Sequence, residues 1–459
     1  MFKKLVLFLI LTGALLAPQQ AQAAPHANVE ADSATLDFPN TVTFSATLTS
    51  STDIVSVTLE YGNEQLTCGE VVAKAFPDFS PGTEVDVAWL WDMRQSGSLP
   101  PGTTIWWRWR YTDSTGKEFL SEKQTITWLD SQHDWKTLAD KDVRIHYYGK
   151  SESFAQTMLD AGLEGLRRNK DQAGMTPDIP VEIYVYPSYD EMRDAILYEP
   201  QWTGGLAYSD SSIIIMGTSG DDEFDKATVI HEVTHILVGR NAFTCIGFIP
   251  TWLNEGLAVY NEGPLDQSMQ AQFDIALRDD EFFPVRSLGG NFSEIPEKAL
   301  LSYAQSYSVV NFMLETYGQE KMSQLLTALS NAEPVDDALV SIYGLDTDGL
   351  DAAWRDSLGL APLTVAQATA QPTPTYVPTY IPIAGIPLAV TPTPFAVPTS
   401  SSGEPNDPAV GPTGGVANMQ VLLAIVIACV CLVLVLIIGV VILGVVLRKG
   451  NAKGGKNVK

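Results

Sequence analysis

Residues 421–447 run for 27 positions without a charged side chain and are dominated by Leu, Ile and Val, and this run constrains everything before it. About 20 such residues cross a bilayer core, so a helix here can span one with some tilt. Arg448, Lys449, Lys453, Lys456 and Lys459 follow, with no acidic residue among them. Positive charge is retained on the cytoplasmic side of a membrane. The expectation is a single-pass type I protein of the cell membrane, with one transmembrane helix at 421–447, a basic cytoplasmic tail at 448–459 and the remainder extracellular. A GPI-type signal would end in its apolar stretch, without the basic residues found here. The opposite end reads Met1-Phe2-Lys3-Lys4, an apolar run from Leu5 to Leu16 and Ala21-Gln22-Ala23. A basic start, a short apolar stretch and an Ala-x-Ala site form a secretory signal peptide over residues 1–23. Its apolar run is too short for a comfortable membrane anchor.

Between 362 and 415 the chain repeats Pro, Thr and Ser, as in Gln371-Pro372-Thr373-Pro374-Thr375 and Ser400-Ser401-Ser402-Gly403. Such a segment buries too little surface to offset its ordering entropy, and is expected to be a disordered stalk suited to O-glycosylation. The charge balance is 28 Lys+Arg against 54 Asp+Glu, a formal net charge of −26. No basic surface remains to neutralise phosphates, which excludes a nucleic-acid partner. Of the four cysteines, Cys429 and Cys431 lie within the apolar run, and Cys68 and Cys245 are far apart. The latter pair is expected as small buried residues rather than reactive thiols, with a bridge between domains left open.

The head divides where its hydrophobic period changes. Over 25–130 the chain alternates with period two, in Thr41–Leu48, Ile54–Tyr61, Glu84–Trp91 and Thr104–Tyr111, with turn signals such as Ser80-Pro81-Gly82 and Pro100-Pro101-Gly102 between strands. This predicts an all-β sandwich of immunoglobulin or fibronectin type. The strip Trp106-Trp107-Arg108-Trp109-Arg110-Tyr111 reads as one buried face with a cation-decorated outer face, or else as a ligand-binding aromatic strip. Over 140–360 strands alternate with helices: Val143–Tyr148, Val181–Tyr186 and Ser212–Met216 read as strands, Phe154–Asn169 and Tyr189–Leu197 as helices. From Asp225 to about Ser357 the pattern is helical. This is an α+β plan. The strand Ser212–Met216 is expected either at the sheet edge, where an extended peptide could add to it, or as an ordinary buried strand. The acidic run Asp221–Asp225 reads as a helix cap more than as a site for basic substrates.

The helix around 225–240 contains His231-Glu232-Val233-Thr234-His235. Positions i and i+4 share a helical face, so both imidazoles can reach one ion. A catalytic zinc takes three protein ligands and keeps a position open for water, and Glu232 stands beside the first His as general base. The chain has five His, and the other three (His26, His133 and His146) all lie upstream. A third ligand must therefore come from a carboxylate. Glu255, in Trp252-Leu253-Asn254-Glu255-Gly256, follows His235 after 19 intervening residues, enough for a helix end, a loop and the first turn of a new helix. Glu262 or Asp266 would need a longer reach.

These two motifs resemble those of the gluzincins, the superfamily of thermolysin and aminopeptidase N, and are most similar to the peptidase MA-like domains. The resemblance covers roughly 140–360. It implies one Zn2+ held by His231, His235 and Glu255, with Glu232 as general base and acid. The stretch Ser302-Tyr303-Ala304-Gln305-Ser306-Tyr307 resembles the helix that carries an oxyanion-stabilising tyrosine, which implies that role for Tyr303, with Tyr307 in reserve. The Gly-x-Met-Glu-Asn motif that holds a free amine in aminopeptidases is absent, which favours an endopeptidase. Val259 stands where thermolysin-type enzymes place an acidic partner for a ligating imidazole, so that support must come from elsewhere. The spacing to Glu255 equals that of thermolysin and exceeds that of the aminopeptidase N group by one residue. The expectation is a membrane-anchored extracellular metallopeptidase acting on peptides or proteins. A surface binding or adhesion protein with a structural or degenerate zinc site is the alternative, and oligomeric state is left open.

Overall fold

The alternation that begins at Thr41 continues past its expected end, and Thr41–Leu48 and Ile54–Tyr61 form one 23-residue strand, β2 (Thr41–Asn63). Its pairing register shifts between Thr49 and Ile54, and its partners change there. The first half pairs with β1 (Asn28–Asp37) and β4 (Gly82–Asp92), the second with β3 (Ala73–Ala75) and β5 (Thr103–Asp113). β6 (Glu118–Leu120) and β7 (Gln124–Trp128) complete the set on β5. The region is β-rich and antiparallel, with all seven strands linked in one hydrogen-bonded sheet rather than in two separate ones. Inward residues of both halves of β2, among them Phe44, Leu48, Val57 and Leu59, share one core with Trp107, Trp109 and Trp128.

The structure is a computed structural model and describes residues 28–96, 99–197 and 204–363, all within one compact unit of the chain, Met1–Thr369. The expected signal peptide, the stalk beyond residue 363, the apolar run 421–447 and the basic tail lie outside the described residues. Among the described residues no helix is long and apolar enough to cross a membrane.

The aromatic strip on β5 is structural. Trp107, Trp109 and Tyr111 point into the core. The indole N–H groups of Trp107 and Trp109 both donate to Asp32, at 2.8 and 3.0 Å. On the outer face Arg108 and Arg110 donate to Glu60, at 2.6 and 3.0 Å, and Lys123 covers the buried Trp106 at 4.0 Å.

The second region is built on a five-stranded mixed sheet in the order β11-β12-β10-β9-β8. The strands are β8 (Lys136–Ala139), β9 (Val143–Tyr147), β10 (Val181–Tyr186), β11 (Gly205–Tyr208) and β12 (Ile213–Gly217). The expected strand at 212–216 is therefore not an edge: β12 is buried throughout between β10 and β11, and the edge is β11. Its short sequence, Gly205-Leu206-Ala207-Tyr208, offers little alternation to identify it. Parallel β9 and β10 are joined by the long helix α1 (Glu152–Ala173), started by the Ser151 side chain and closed by Gly174 in the left-handed conformation. A short helix α2 (Tyr189–Asp194) follows β10. After β12 come α3 (Asp222–Asn241), α4 (Thr251–Glu262), α5 (Gln267–Asp279), α6 (Pro296–Tyr317), α7 (Gln319–Ser330), α8 (Val335–Tyr343) and α9 (Thr347–Ser357). One apolar core runs from the sheet through α1, α3, α4 and α6.

Cys68 and Cys245 form a disulfide, with Cα atoms 5.6 Å apart, and both are exposed rather than buried. The bond ties the loop after β2 to the loop between α3 and α4. Sequence offers no distance information across 177 residues. Closing so long a loop restricts the unfolded chain, a stabilisation of typically about 2–4 kcal/mol. Unfolding in denaturant is expected to begin at lower concentration for a Cys68→Ser/Cys245→Ser variant than for the oxidised protein. Equal midpoints would show that the link contributes nothing.

Candidate metal centre

The helix α3 starts at Asp221, whose carboxylate accepts from the backbone N–H groups of Glu223 and Phe224. Asp222, Glu223 and Asp225 occupy its first turn, where negative charge suits the helix dipole. Asp225 is itself buried and accepts from Ser219. The acidic run is thus a cap. It holds the helix so that Val229, Val233, Ile236 and Leu237 enter the core, while His231 and His235 face the helix that follows.

That next helix, α4, begins after Pro250, and Glu255 falls in its second turn rather than its first. Small residues and polar keys pack α4 against its neighbours. A Cβ on Gly256 would stand 2.5 Å from the Ser306 carbonyl oxygen on α6, so no larger residue fits after Glu255. Fully buried Asn169 on α1 donates to Thr234 on α3 at 2.9 Å and accepts from Asn261 on α4 at 3.2 Å. One amide therefore joins three helices.

The Nε2 atoms of His231 and His235 lie 3.0 Å apart, and Glu255 Oε2 lies 3.5 and 3.4 Å from them. These are the atoms of the one group of three or more ligating side chains found among the described residues. The far side of each imidazole is occupied. His231 Nδ1 meets Glu262 Oε1 at 2.5 Å, and His235 Nδ1 meets Asn254 Oδ1 at 3.0 Å. Both Nδ1 atoms face acceptors, so they carry the protons, and both Nε2 lone pairs point inward. Glu255 Oε2 is buried without a hydrogen-bond partner. Three converging donor atoms repel one another unless positive charge, a proton on an imidazole or a metal cation, sits between them. Atoms about 2.0–2.2 Å from a tetrahedral ion stand about 3.3–3.6 Å apart; both Glu255 distances fall in that range and the two imidazoles stand slightly closer, a donor set suited to a zinc-type ion.

The charges agree. Burial opposes the protonated form of His231, but the carboxylates of Glu255 and Glu262 outweigh it and raise its pKa well above the ordinary value. Burial likewise opposes the charged form of Glu255, yet the two imidazoles hold its carboxyl far below the usual range. Positive charge is what the site favours.

Glu232 is buried beside this group without belonging to it. Burial pushes its pKa up, with Glu255 and Glu262 adding to the shift and the two imidazoles opposing it. Its carboxylate lies under the edge strand: a Cβ on Gly205 would be 3.0 Å from both Glu232 Cγ and Oε1. Tyr303 lines a cavity together with Glu255, and burial followed by the charges of Glu255, Glu232 and Glu262 keeps its phenol protonated. Tyr307, one turn on, has its ring 5.9 Å from Tyr260 and feels Glu315 instead, so it leaves the centre. Asp266 caps α5, and Glu262 supports His231 from outside, so neither joins the three inward donors. The imidazole partner missed at Val259 is Glu262, seven residues after Glu255, or two helical turns along the same face. Asn254 and Asn169 carried no signal in the sequence beyond being polar residues on helices that must pack.

Two imidazoles one turn apart, a carboxylate from the next helix and a buried carboxylate alongside make this a peptidase-like centre. Residues 161–359 match the model of the Peptidase MA superfamily. No protein of curated function matches the chain in sequence. Among solved structures, an M1 zinc metallopeptidase from Deinococcus radiodurans bound to a Tyr-Ser-Ala substrate is 13% identical, with 72% of this chain and 93% of that chain covered at a TM-score of 0.32. Legionella pneumophila aminopeptidase A in complex with aspartic acid is 11% identical, with 73% and 50% covered at a TM-score of 0.28. At these scores neither likeness extends what the site itself shows.

Proposed function

We propose that the chain is a zinc-dependent peptidase held at the outer face of a membrane by its 421–447 segment. The observation that carries the reading is the orphaned, buried Glu255 oxygen facing two inward imidazole lone pairs. His231, His235 and Glu255 would hold the ion, which when bound supplies a Lewis acid and an acidified water. Glu232 accepts a proton from the water that attacks the scissile carbonyl and passes it to the leaving amine. The Tyr303 phenol donates to the developing oxyanion. β11 ends the sheet order above Glu232, where an extended substrate can add as a further strand. The anchor, the stalk and the extracellular address rest on the sequence pattern alone. The adhesion alternative loses one of its supports, because the β5 aromatics are buried.

Incubating the zinc-loaded protein with a diverse peptide mixture and mapping cuts by mass spectrometry tests the reading. Internal cuts are expected; a folded, zinc-loaded protein that cuts nothing would overturn it. Glu262→Gln should weaken metal binding by about 10–100-fold, since the group that orients His231 and raises its basicity is lost. A competition titration with a zinc chelator measures this, and unchanged affinity would remove Glu262 from the site.

A further inference from the structure

Glu255 and Tyr303 do not close the centre; they form one end of a cavity of about 640 Å³. Its walls come from the segment leading into α6 and from the first turns of that helix, with Phe292, Pro296, Ala299 and Leu300 supplying most of the apolar surface. Phe292 is braced edge-on against Tyr303, ring centres 5.1 Å apart, so the wall and the phenol hold each other in place. None of the lining residues is cationic, and Glu294 adds a carboxylate to that of Glu255. An acidic side chain entering here would lose its hydration and meet like charge. A basic one would bury its charge among apolar walls, with the Glu255 carboxylate already turned to the two imidazoles and Glu294 exposed to water. A large aliphatic or aromatic side chain replaces water on apolar surface and meets neither cost.

We infer that this cavity selects the substrate: the peptidase takes chains with a bulky apolar residue beside the scissile bond, and Ala299 and Leu300 set that choice. The inference rests on the peptidase reading and names its substrate class. Selection of this kind is worth a factor of ten or more between a filled and an unfilled pocket.

The test uses the full-length zinc-loaded chain and matched peptides that differ only in one residue, Leu, Ala or Asp. In the active protein kcat/KM is measured. In Glu232→Gln equilibrium binding is measured by calorimetry, so that the pocket is read without catalysis. The leucine peptide is expected to exceed the alanine peptide at least tenfold in both measurements, with the aspartate peptide weakest. Ala299→Phe, which fills the cavity, should bring the leucine-to-alanine ratio near one. Leu300→Asp, which charges the same wall, should do the same, with folding of each variant checked by its thermal midpoint. Cleavage without a leucine preference, or a preference untouched by both variants, overturns the inference and leaves the peptidase standing. Preferential binding abolished by Ala299→Phe, without cleavage by the active protein, keeps the pocket and removes the peptidase. Equal binding without cleavage removes both.

Discussion

Glu232→Gln is expected to lower kcat by about 10²–10⁴-fold while the protein keeps its metal. Glutamine has nearly the shape of glutamate, which matters in a slot where Gly205 leaves no room for a larger group. The amide cannot take a proton from the attacking water or return one to the leaving nitrogen. Glu232 lies outside the three converging donor atoms, so its replacement leaves them in place. It also removes a buried charge whose pKa burial has already raised, so the variant should unfold no more easily than the parent. Turnover, metal content by emission spectroscopy and the thermal midpoint are measured on the same sample. Undiminished turnover would sink the proton-transfer role, and loss of metal would mean that Glu232 belongs to the ligand set.

Glu255→Ala has the opposite signature, with metal and activity lost together. The two imidazoles keep their outer partners, Glu262 and Asn254, but the inward donor set falls from three to two. A ligand that binds only the folded state stabilises it by about 2.7 kcal/mol at one hundred times its dissociation constant. Added zinc should therefore raise the melting temperature of the parent protein and leave that of Glu255→Ala nearly unchanged. A zinc-dependent rise of equal size in both would show that the ion binds elsewhere.

The centre was legible because its chemistry is local. Two histidines four positions apart on an amphipathic helix share a face whatever surrounds them, and the shortage of histidines elsewhere directs attention to a carboxylate. The residues that brace the centre were not legible, for a physical reason. Glu262 reaches His231 because α4 runs two more turns before Gly263, and Asn169 matters because α1 crosses α3 and α4 at one point; neither follows from a spacing rule. The sheet shows the same divide. The hydrophobic run of β10 marks it as a strand with its bounds intact, whereas β11 is four residues long and recognisable only by its pairing with β12. In the β-rich region alternation identifies strands but not where a strand ends, since a bulge at 49–54 preserves the pattern on both sides.

The covalent link from Cys68 to Cys245 turns the stretch between them, with the β-rich region's last strands, the entire five-stranded sheet and both histidines, into a closed ring of backbone. A protease that nicks any exposed loop in that ring opens it without dividing the protein. The β-rich region and the carboxylate-bearing half of the centre stay on one molecule. Such a ring keeps a cut from becoming a loss.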